Sequence, residues 1–312
     1  MFWRRAPKPV TRYALKPPTP APDRAGLAIV TIAKGEAPFL AEWLAFHLAG
    51  GARHIYLYDD EDGAAQREIA EKFERVTVIP WRINLETREG QRLSRQPMAY
   101  AHAIQSFGAD YRWMAFIDVD EFLVTVTAQN YDEALAPLAH LRHLLLPWRM
   151  FGRNGVGARP ASTLDAFTTR AKDGYGGEAA KCKNLLDPCD CTVIGVHDAR
   201  TASHDKRGFN DAGVRLEEAR PCIEEMSFAT FALHHYYTRS DADFQAKLKR
   251  GGFGDKSDYV RNVTARAESI EADTVEDRSA IAARERFKAQ PSSASRSISI
   301  SNHSSSEAAS FS

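Results

Sequence analysis

Apolar runs alternate with helical repeats from residue 27 to residue 79, and this alternation predicts a parallel sheet. Residues 27–32 are almost wholly apolar, which is typical of a strand buried on both faces. Further strands are predicted at residues 54–58 and 76–79, with one helix after the first strand and a second over residues 64–74. The β-α-β-α-β order favours parallel strands joined by helical crossovers.

The pattern continues less regularly after this unit. Residues 113–117 read as the central strand, and a helix beginning at Gln96 leads into it. Residues 144–148 are predicted as a strand or strand edge, and residues 228–233 as a strand followed by a short helix. Residues 170–225 show little periodicity and are predicted to be rich in loops.

Three acids follow the central strand directly and are the first candidates for chemistry. Asp118, Asp120 and Glu121 stand between apolar runs. In open α/β sheets ligands sit at the carboxyl ends of strands. Two aspartates one residue apart are able to reach one divalent cation that also holds substrate phosphates. A solvated strand end is the simpler reading, and a phosphatase with a nucleophilic aspartate is a third, although Phe122 replaces the usual Thr or Val.

Polar groups follow two other predicted strands at the same edge of the sheet. Lys34 and Glu36 end the first strand, and Asp59 ends the second. An acid there is well placed to accept hydrogen bonds from a ribose or a base. The sequence holds neither G-x-G-x-x-G nor G-x-x-x-x-G-K-[ST], so a dinucleotide fold and a P-loop are not supported.

The second half of the chain offers further candidates. His235 is a candidate for a third metal ligand or a phosphate donor, with a structural role as the alternative. Lys247 and Arg250 on the following helix are candidates to neutralise a diphosphate, and a solvated surface position is the alternative for both. Trp148 is a candidate platform for stacking a sugar, with core packing as the alternative.

Composition excludes some classes of function. Lys+Arg and Asp+Glu are equal at 41 each, and without a basic excess nothing favours a nucleic-acid partner. No apolar run reaches the ~20 residues of a membrane span, so a cytoplasmic protein is expected. Peripheral contact with the inner membrane through the basic residues 3–5 is an open alternative. The four cysteines fit no standard zinc spacing and are expected to be reduced thiols.

Composition also divides the chain. Residues 1–25 are basic and rich in proline and are expected to form a flexible surface segment. Residues 26–252 are expected to form the main domain, and residues 253–289 a helical extension. Residues 290–312 are dominated by serine and are expected to be disordered.

The motifs together resemble bacterial family-2-like glycosyltransferases related to glycosyltransferase family 92, across about residues 27–252. The matching elements are Lys34-Gly35-Glu36, Glu42-Trp43, His47, residues 54–59, Gln96, Ala99-Tyr100, residues 116–122, Trp148, Phe151-Gly152, and residues 235–240 with Lys247 and Arg250-Gly251.

The resemblance implies a GT-A fold, a Rossmann-like α/β architecture with a mixed, mostly parallel sheet flanked by helices. It implies a UDP- or GDP-sugar donor, a carbohydrate or lipid-linked acceptor, Mn²⁺ or Mg²⁺, and inversion at the anomeric carbon. Carried over by position, the metal ligands are Asp118, Asp120 and His235. The donor-binding residues are Lys34, Glu36, Asp59, Gln96, Asp118, Trp148 and His235, and the catalytic candidates are Glu121, Lys247 and Arg250.

Departures from the family pattern leave alternatives open. Gly35 stands where the family has asparagine, and residues 153–156 lack the usual histidine. The general base is not identified by position, and Glu178, Asp187 and Asp198 are further candidates. The alternatives are a nucleotidyltransferase, whose glycine-rich N-terminal loop is missing here, and a carbohydrate-binding protein that has lost turnover.

Overall fold

The computed structural model describes residues 7–174, 181–218, 222–251 and 256–289. Its strands are β1 Tyr13–Ala14, β2 Leu27–Ala33, β3 His54–Asp59, β4 Val76–Pro80, β5 Trp113–Phe116, β6 Glu121–Thr125, β7 His143–Met150, β8 Thr169–Ala171, β9 Cys182–Leu186, β10 Cys191–Ile194, β11 Ala199–Thr201, β12 Phe231–His235 and β13 Thr274–Glu276. Its helices are α1 Ala37–Ala49, α2 Ala65–Ala70, α3 Arg95–Phe107, α4 Tyr131–Leu135, α5 Thr163–Ala166, α6 Asp241–Arg250, α7 Lys256–Ala272 and α8 Ser279–Lys288. Short 3₁₀ turns lie at Gly108–Asp110, Ala136–Leu138, Pro188–Asp190 and Ile223–Glu225.

An eight-stranded mixed sheet forms the centre of the fold, in the order β4-β3-β2-β5-β9-β7-β12-β6. β4, β3, β2 and β5 are parallel neighbours, as the β-α-β alternation predicts. β9 runs antiparallel to both β5 and β7, and β6 runs antiparallel to β12. This mostly parallel sheet, flanked by helices, confirms the architecture that the resemblance implies.

β9 corrects the prediction that residues 170–225 are mainly loop. All five of its residues are buried, although its sequence mixes cysteine, lysine and asparagine with only two leucines. A strand of this composition gives no periodic signal, because its polar side chains find partners that lie far away in the chain.

α1 packs one face into the core and fixes the start of β6. His47 is completely buried; its Nδ1 lies 2.8 Å from the carbonyl of Trp43, and its Nε2 accepts a hydrogen bond from Leu123 N at 3.1 Å. The indole of Trp43 donates to the carbonyl of Glu121 at 2.7 Å. The start of β6, at Glu121, is therefore held in place by α1.

The expected helical extension contains α7, β13 and α8, and α8 belongs to the same core. Phe287 is buried, with its ring centroid 5.3 Å from that of Phe46 and 5.7 Å from that of Tyr131. β13 pairs with β8. These contacts join the C-terminal segment to the sheet domain.

The described part of the N-terminal segment lies along the body of the protein. β1 pairs with β10, and Val10 N donates to the carbonyl of Arg92 at 2.9 Å. The basic residues 3–5 and the serine-rich residues 290–312 lie outside the described residues. In the part of the chain that is described, we find no helix with the length and apolar character needed to cross a membrane.

Candidate active site

The polar residues that follow β2, β3 and β5 lie at one edge of the sheet, because these three strands are adjacent and parallel. β5 ends at Phe116, and two residues later the chain reaches Asp118. β6 then begins at Glu121 and runs antiparallel to β12. The acids therefore occupy the turn between a parallel strand and an antiparallel one, at the carboxyl edge where ligands bind in such sheets.

Asp120 and His235 are brought together by the pairing of β6 with β12. His235 is the register partner of Glu121, and Tyr236 N donates to the carbonyl of Asp120 at 2.8 Å. The Nε2 of His235 lies 3.4 Å from Asp120 Oδ2. Burial lowers the pKa of His235, against the effect of Asp120, and so favours the neutral imidazole that binds metals.

Glu121 completes a group able to hold a cation. Ligand atoms of Asp120, Glu121 and His235 lie within 4.8 Å of one another, and no other such trio occurs among the described residues. Glu121 Oε1 and His235 Nδ1 are buried and have no hydrogen-bond partner among the described residues. A carboxylate pair with one imidazole is a donor set suited to a divalent ion, so these residues fit a metal.

Glu121 is completely buried. Burial raises the pKa of its carboxyl well above the ordinary value, while Lys183 opposes that shift. Its Oε2 accepts a hydrogen bond from Asp118 N at 2.9 Å. A side chain without exposed surface does not meet an acceptor hydroxyl directly in this conformation, and its role as a general base stays a prediction.

Asp118 is half-buried and has a partner on each oxygen. Gln96 Nε2 donates to Oδ1 at 2.7 Å, and Lys183 Nζ donates to Oδ2 at 2.7 Å. The same amide of Gln96 also donates to the hydroxyl of Tyr100 at 2.8 Å. The predicted donor-binding residue Gln96 thus contacts the first aspartate directly.

Positive charge collects beside Asp120 where α6 meets the end of β2. Arg239 Nη1 forms an ion pair with Glu36 Oε2 at 2.7 Å. Lys247 Nζ donates to the carbonyl of Tyr237 at 2.8 Å, and burial lowers its pKa, against the effect of Asp120. Burial raises the pKa of Asp120, but its contact with His235 and the charges of Lys247 and Arg239 lower it below its usual range.

Two more predicted residues stand at the rim of this basic cluster. Arg250 Nη1 reaches the carbonyl of Lys34 at 3.4 Å, and both side chains are exposed. Gly35, between Lys34 and Glu36, has a φ of +72°. Asparagine also tolerates this left-handed conformation better than most residues, so the Asn-to-Gly departure keeps the backbone geometry of the turn.

Asp59 lies inward from the edge. It is buried, and it accepts a hydrogen bond from Gln66 Nε2 at 2.6 Å. Burial raises its pKa, although Gln66 opposes this. The neighbouring Asp60 pairs with Arg95 on α3. Contact between Asp59 and a nucleoside stays a prediction.

A cavity of about 630 Å³ opens next to Gln96. Its walls come from the N-terminal segment, the loop before α3 and the turn after β10: Pro9, Thr11, Arg12, residues 84–86, residues 92–96 and residues 196–198. The ring centroid of Trp148 lies 5.4 Å from that of His197 and 4.5 Å from that of His235. Trp148 thus stands between the cavity wall and the acid cluster.

Three further acids are candidates for the general base. Glu178 lies outside the described residues. Asp187 is buried against Arg24 and Arg142, with 2.7 Å between its Oδ2 and Arg142 Nη1. These ion pairs indicate a structural role. Asp198 lines the cavity and pairs with Arg12.

None of the four cysteines belongs to a group of three ligand atoms that lie close enough together, among the described residues, to hold a metal ion. No disulfide joins the four cysteines, all of which are described. The thiol of Cys191 lies in hydrogen-bond contact with the carbonyl of Val193, and that of Cys189 with the carbonyl of Gly108. Burial raises the pKa of Cys191 to about 12.

Sequence reasoning missed Lys183 and assigned no role to Arg239. Lys183 is completely buried among the acids, on a strand that the pattern did not predict. Arg239 was visible within a motif, but its φ of +54° and its contact with Glu36, 203 residues away, are tertiary features. Strained backbone at a non-glycine residue is common at functional sites.

Comparison with known proteins adds a family relation. A model of glycosyltransferase family 92 matches residues 33–146. A family 92 protein of Ricinus communis is 24% identical over 139 residues, which are 43% of this chain and 24% of that protein. A family 92 protein of Oryza sativa subsp. japonica is 26% identical over 109 residues, which are 35% of this chain and 18% of that protein. The matched part thus spans a quarter or less of these curated relatives.

Solved structures resemble the chain only distantly. An active-site mutant of LgtC is 12% identical with a TM-score of 0.26, covering 52% of this chain and 57% of that one. A 4-diphosphocytidyl-2C-methyl-D-erythritol synthase from Anaerococcus prevotii is 7% identical with a TM-score of 0.27, covering 52% of this chain and 71% of that one. The family relation rests on the sequence matches. Through residues 33–146, which include the Asp118–Asp120 turn, the chain is related to glycosyltransferase family 92.

Proposed function

We propose that the protein is a metal-dependent glycosyltransferase that moves a sugar from a UDP- or GDP-sugar to a hydroxyl of a carbohydrate or lipid-linked acceptor. The observation that carries this proposal is the grouping of Asp120, Glu121 and His235 within 4.8 Å at the carboxyl edge of the sheet. The relation to family 92 supports the same class of reaction.

Asp120 and His235 are the residues that hold the cation in this proposal, with Glu121 behind them. An imidazole ligand favours Mn²⁺ over Mg²⁺, because Mg²⁺ prefers oxygen ligands throughout. A bound divalent ion supplies positive charge to the diphosphate as the bond between sugar and phosphate breaks.

The basic cluster of Arg239, Lys247 and Arg250 is suited to the same leaving group. Glu36 fixes Arg239 through one nitrogen of the guanidinium. Arg239 Nε and Nη2 are buried and have no hydrogen-bond partner among the described residues. Because buried donors are nearly always bonded in folded proteins, these N–H groups are the expected contacts of a ligand oxygen.

The cavity beside Gln96 is the proposed place of the sugar or the acceptor. Its volume of about 630 Å³ falls in the range typical of small-molecule sites. Inversion needs a carboxylate on the face of the sugar opposite the diphosphate. Asp198 and Glu86 are the acids among the residues that line this cavity, and they are the proposed candidates for this carboxylate.

A screen of donor hydrolysis tests the proposed activity without knowledge of the acceptor. The full chain is incubated with UDP-, GDP- and TDP-sugars and Mn²⁺, and the release of nucleoside diphosphate is measured. The proposal expects slow, metal-dependent hydrolysis of one donor class. Pyrophosphate release from a nucleoside triphosphate and a sugar phosphate would instead identify a nucleotidyltransferase, and nucleotide binding without any turnover would identify a binding protein.

A further inference from the structure

Lys183 brings a positive charge to the acids from β9, the strand next to β5. β9 runs antiparallel to β5, with Leu186 opposite Met114 and Leu185 opposite Ala115. Lys183 precedes Leu185 by two residues, so it lies beyond the paired part of β5, on the side where the chain continues to Asp118. The antiparallel insertion of β9 into the sheet is what allows this approach.

Two carboxylates lie next to the ammonium group of Lys183. The side chain is 0% exposed, and Nζ lies 2.7 Å from Asp118 Oδ2 and 3.7 Å from Glu121 Oε2. A buried ammonium is strongly unfavourable unless acids compensate it. Asp118 and Glu121 therefore stabilise Lys183 in the interior, and Lys183 in turn balances their charge.

This arrangement divides the acids into two sets. Asp118 has Gln96 on one oxygen and Lys183 on the other. The trio that lies close enough together to share a cation includes Asp120 and His235 but not Asp118. We propose that Lys183 is a positioning residue that occupies the cation position at Asp118, so that the divalent metal is held through Asp120 and His235 while Asp118 is not a metal ligand.

The inference rests on the proposed function only in that a divalent ion binds beside Asp120. It predicts how a change of charge at Lys183 and Asp118 alters the affinity for the metal ion. Removal of Lys183 leaves an unbalanced carboxylate at Asp118 next to the metal position, and this extra negative charge strengthens the binding of a divalent cation. Removal of Lys183 and Asp118 together leaves the charge of the site unchanged, so binding should persist.

Mn²⁺ affinity of the full chain, measured by calorimetry without nucleotide, tests this division. We expect Lys183→Met to bind Mn²⁺ about ten-fold more tightly than the wild type, given the field of one unit charge at an effective dielectric of about 20 reduced by salt. We expect the double variant Asp118→Asn with Lys183→Met to bind within about three-fold of the wild type, and Asp120→Asn to lose at least about 30-fold. Circular dichroism confirms that each variant is folded.

The outcomes separate the inference from the proposed function. A wild type that binds no Mn²⁺ refutes the metal role itself, and the inference with it. If the wild type binds Mn²⁺ through Asp120 but the double variant loses as much affinity as Asp120→Asn, Asp118 is a ligand and the inference alone is wrong. An unchanged affinity in folded Lys183→Met, with only a lower melting temperature, shows a merely structural lysine. If Lys183→Met does not fold, the charge-neutral double variant decides.

Discussion

Substitution of Arg239 tests the proposed donor binding most directly, because its guanidinium is fixed on two sides and has N–H groups without a hydrogen-bond partner, among the described residues, on the third. Its central carbon lies 3.5 Å from the ring centroid of Phe39, and its Nη1 lies 2.7 Å from Glu36 Oε2. Nε and Nη2 have no hydrogen-bond partner in the described structure. A group held in this way binds an anion without a large loss of side-chain entropy.

The substitution Arg239→Gln removes the charge and the unbonded N–H groups together. A hydrogen bond to a charged group contributes about 1.5–3 kcal/mol. Loss of two such contacts, partly replaced by water, should therefore weaken binding of a nucleoside diphosphate by about 3 kcal/mol, which is roughly 100-fold.

Calorimetric titration of UDP and GDP in the presence of Mn²⁺ measures this effect. Arg53→Gln is the matched control, because Arg53 pairs with Asp132 on the surface and is 52% exposed; it should bind nucleotide as the wild type does. Mn²⁺ binding without nucleotide should survive in Arg239→Gln. Nucleotide affinity within three-fold of the wild type in a folded Arg239→Gln protein would show that the reasoning is wrong.

Three further predictions concern catalysis, pH and stability. Asp120→Ala should lower donor turnover by about 10³-fold, since one charge at a metal contributes roughly 4 kcal/mol at an effective dielectric of 20; Asp132→Ala, a surface acid, should not, and equal rates in the two variants would exclude the metal role of Asp120. Burial lowers the pKa of His47 from 6.5 to about 3, so the unfolded chain binds the proton first and the stability that the neutral imidazole contributes above pH 6.5 is lost as the pH falls toward 3, by about 1.4 kcal/mol per pH unit. Urea unfolding at pH 7, 6 and 5 should show a shallower pH dependence for His47→Phe than for the wild type, and identical slopes would refute the assignment. Phe287→Ala should lower the free energy of unfolding by about 3–5 kcal/mol, whereas Leu85→Ala, at a residue that is 49% exposed, should change it by less than about 0.5 kcal/mol; a small effect at Phe287 would mean that α8 is not part of the core.

Much of the parallel half of the sheet is visible in the sequence, because its strands are apolar on both faces and are separated by helical repeats. β2, β3 and β5 were predicted within a few residues of their observed bounds. Their parallel direction follows from the crossover argument, whereas the place of β5 beside β2 was not predicted. The shared edge that carries Glu36, Asp60 and Asp118 is therefore a consequence of local pattern and a general rule of handedness.

In the other half, the strands predicted at residues 144–148 and 228–233 correspond to β7 and β12, whereas β9 depends on pairing between distant segments and gave no local signal. β9 carries Lys183 into the core, although a lysine in a short polar stretch is typical of a surface loop. Its burial is understandable only from Asp118 and Glu121, which lie more than 60 residues earlier in the chain. In the same way, no sign of the hydrogen bond from Gln66 Nε2 to Asp59 was present in the sequence, and contact between Asp59 and a nucleoside stays a prediction.

The central claim is that Asp120 and His235 hold a divalent ion that in turn holds a nucleoside diphosphate. Calorimetric titration of the wild-type chain with UDP and with GDP, each with Mn²⁺ and with EDTA, tests it most directly. We expect one of the two nucleotides to bind at least about ten-fold more tightly with Mn²⁺ than without it, since a divalent ion held by Asp120 and His235 would supply positive charge to the phosphates. Binding that is equally strong in EDTA, or absent for both nucleotides with Mn²⁺ present, would contradict the account.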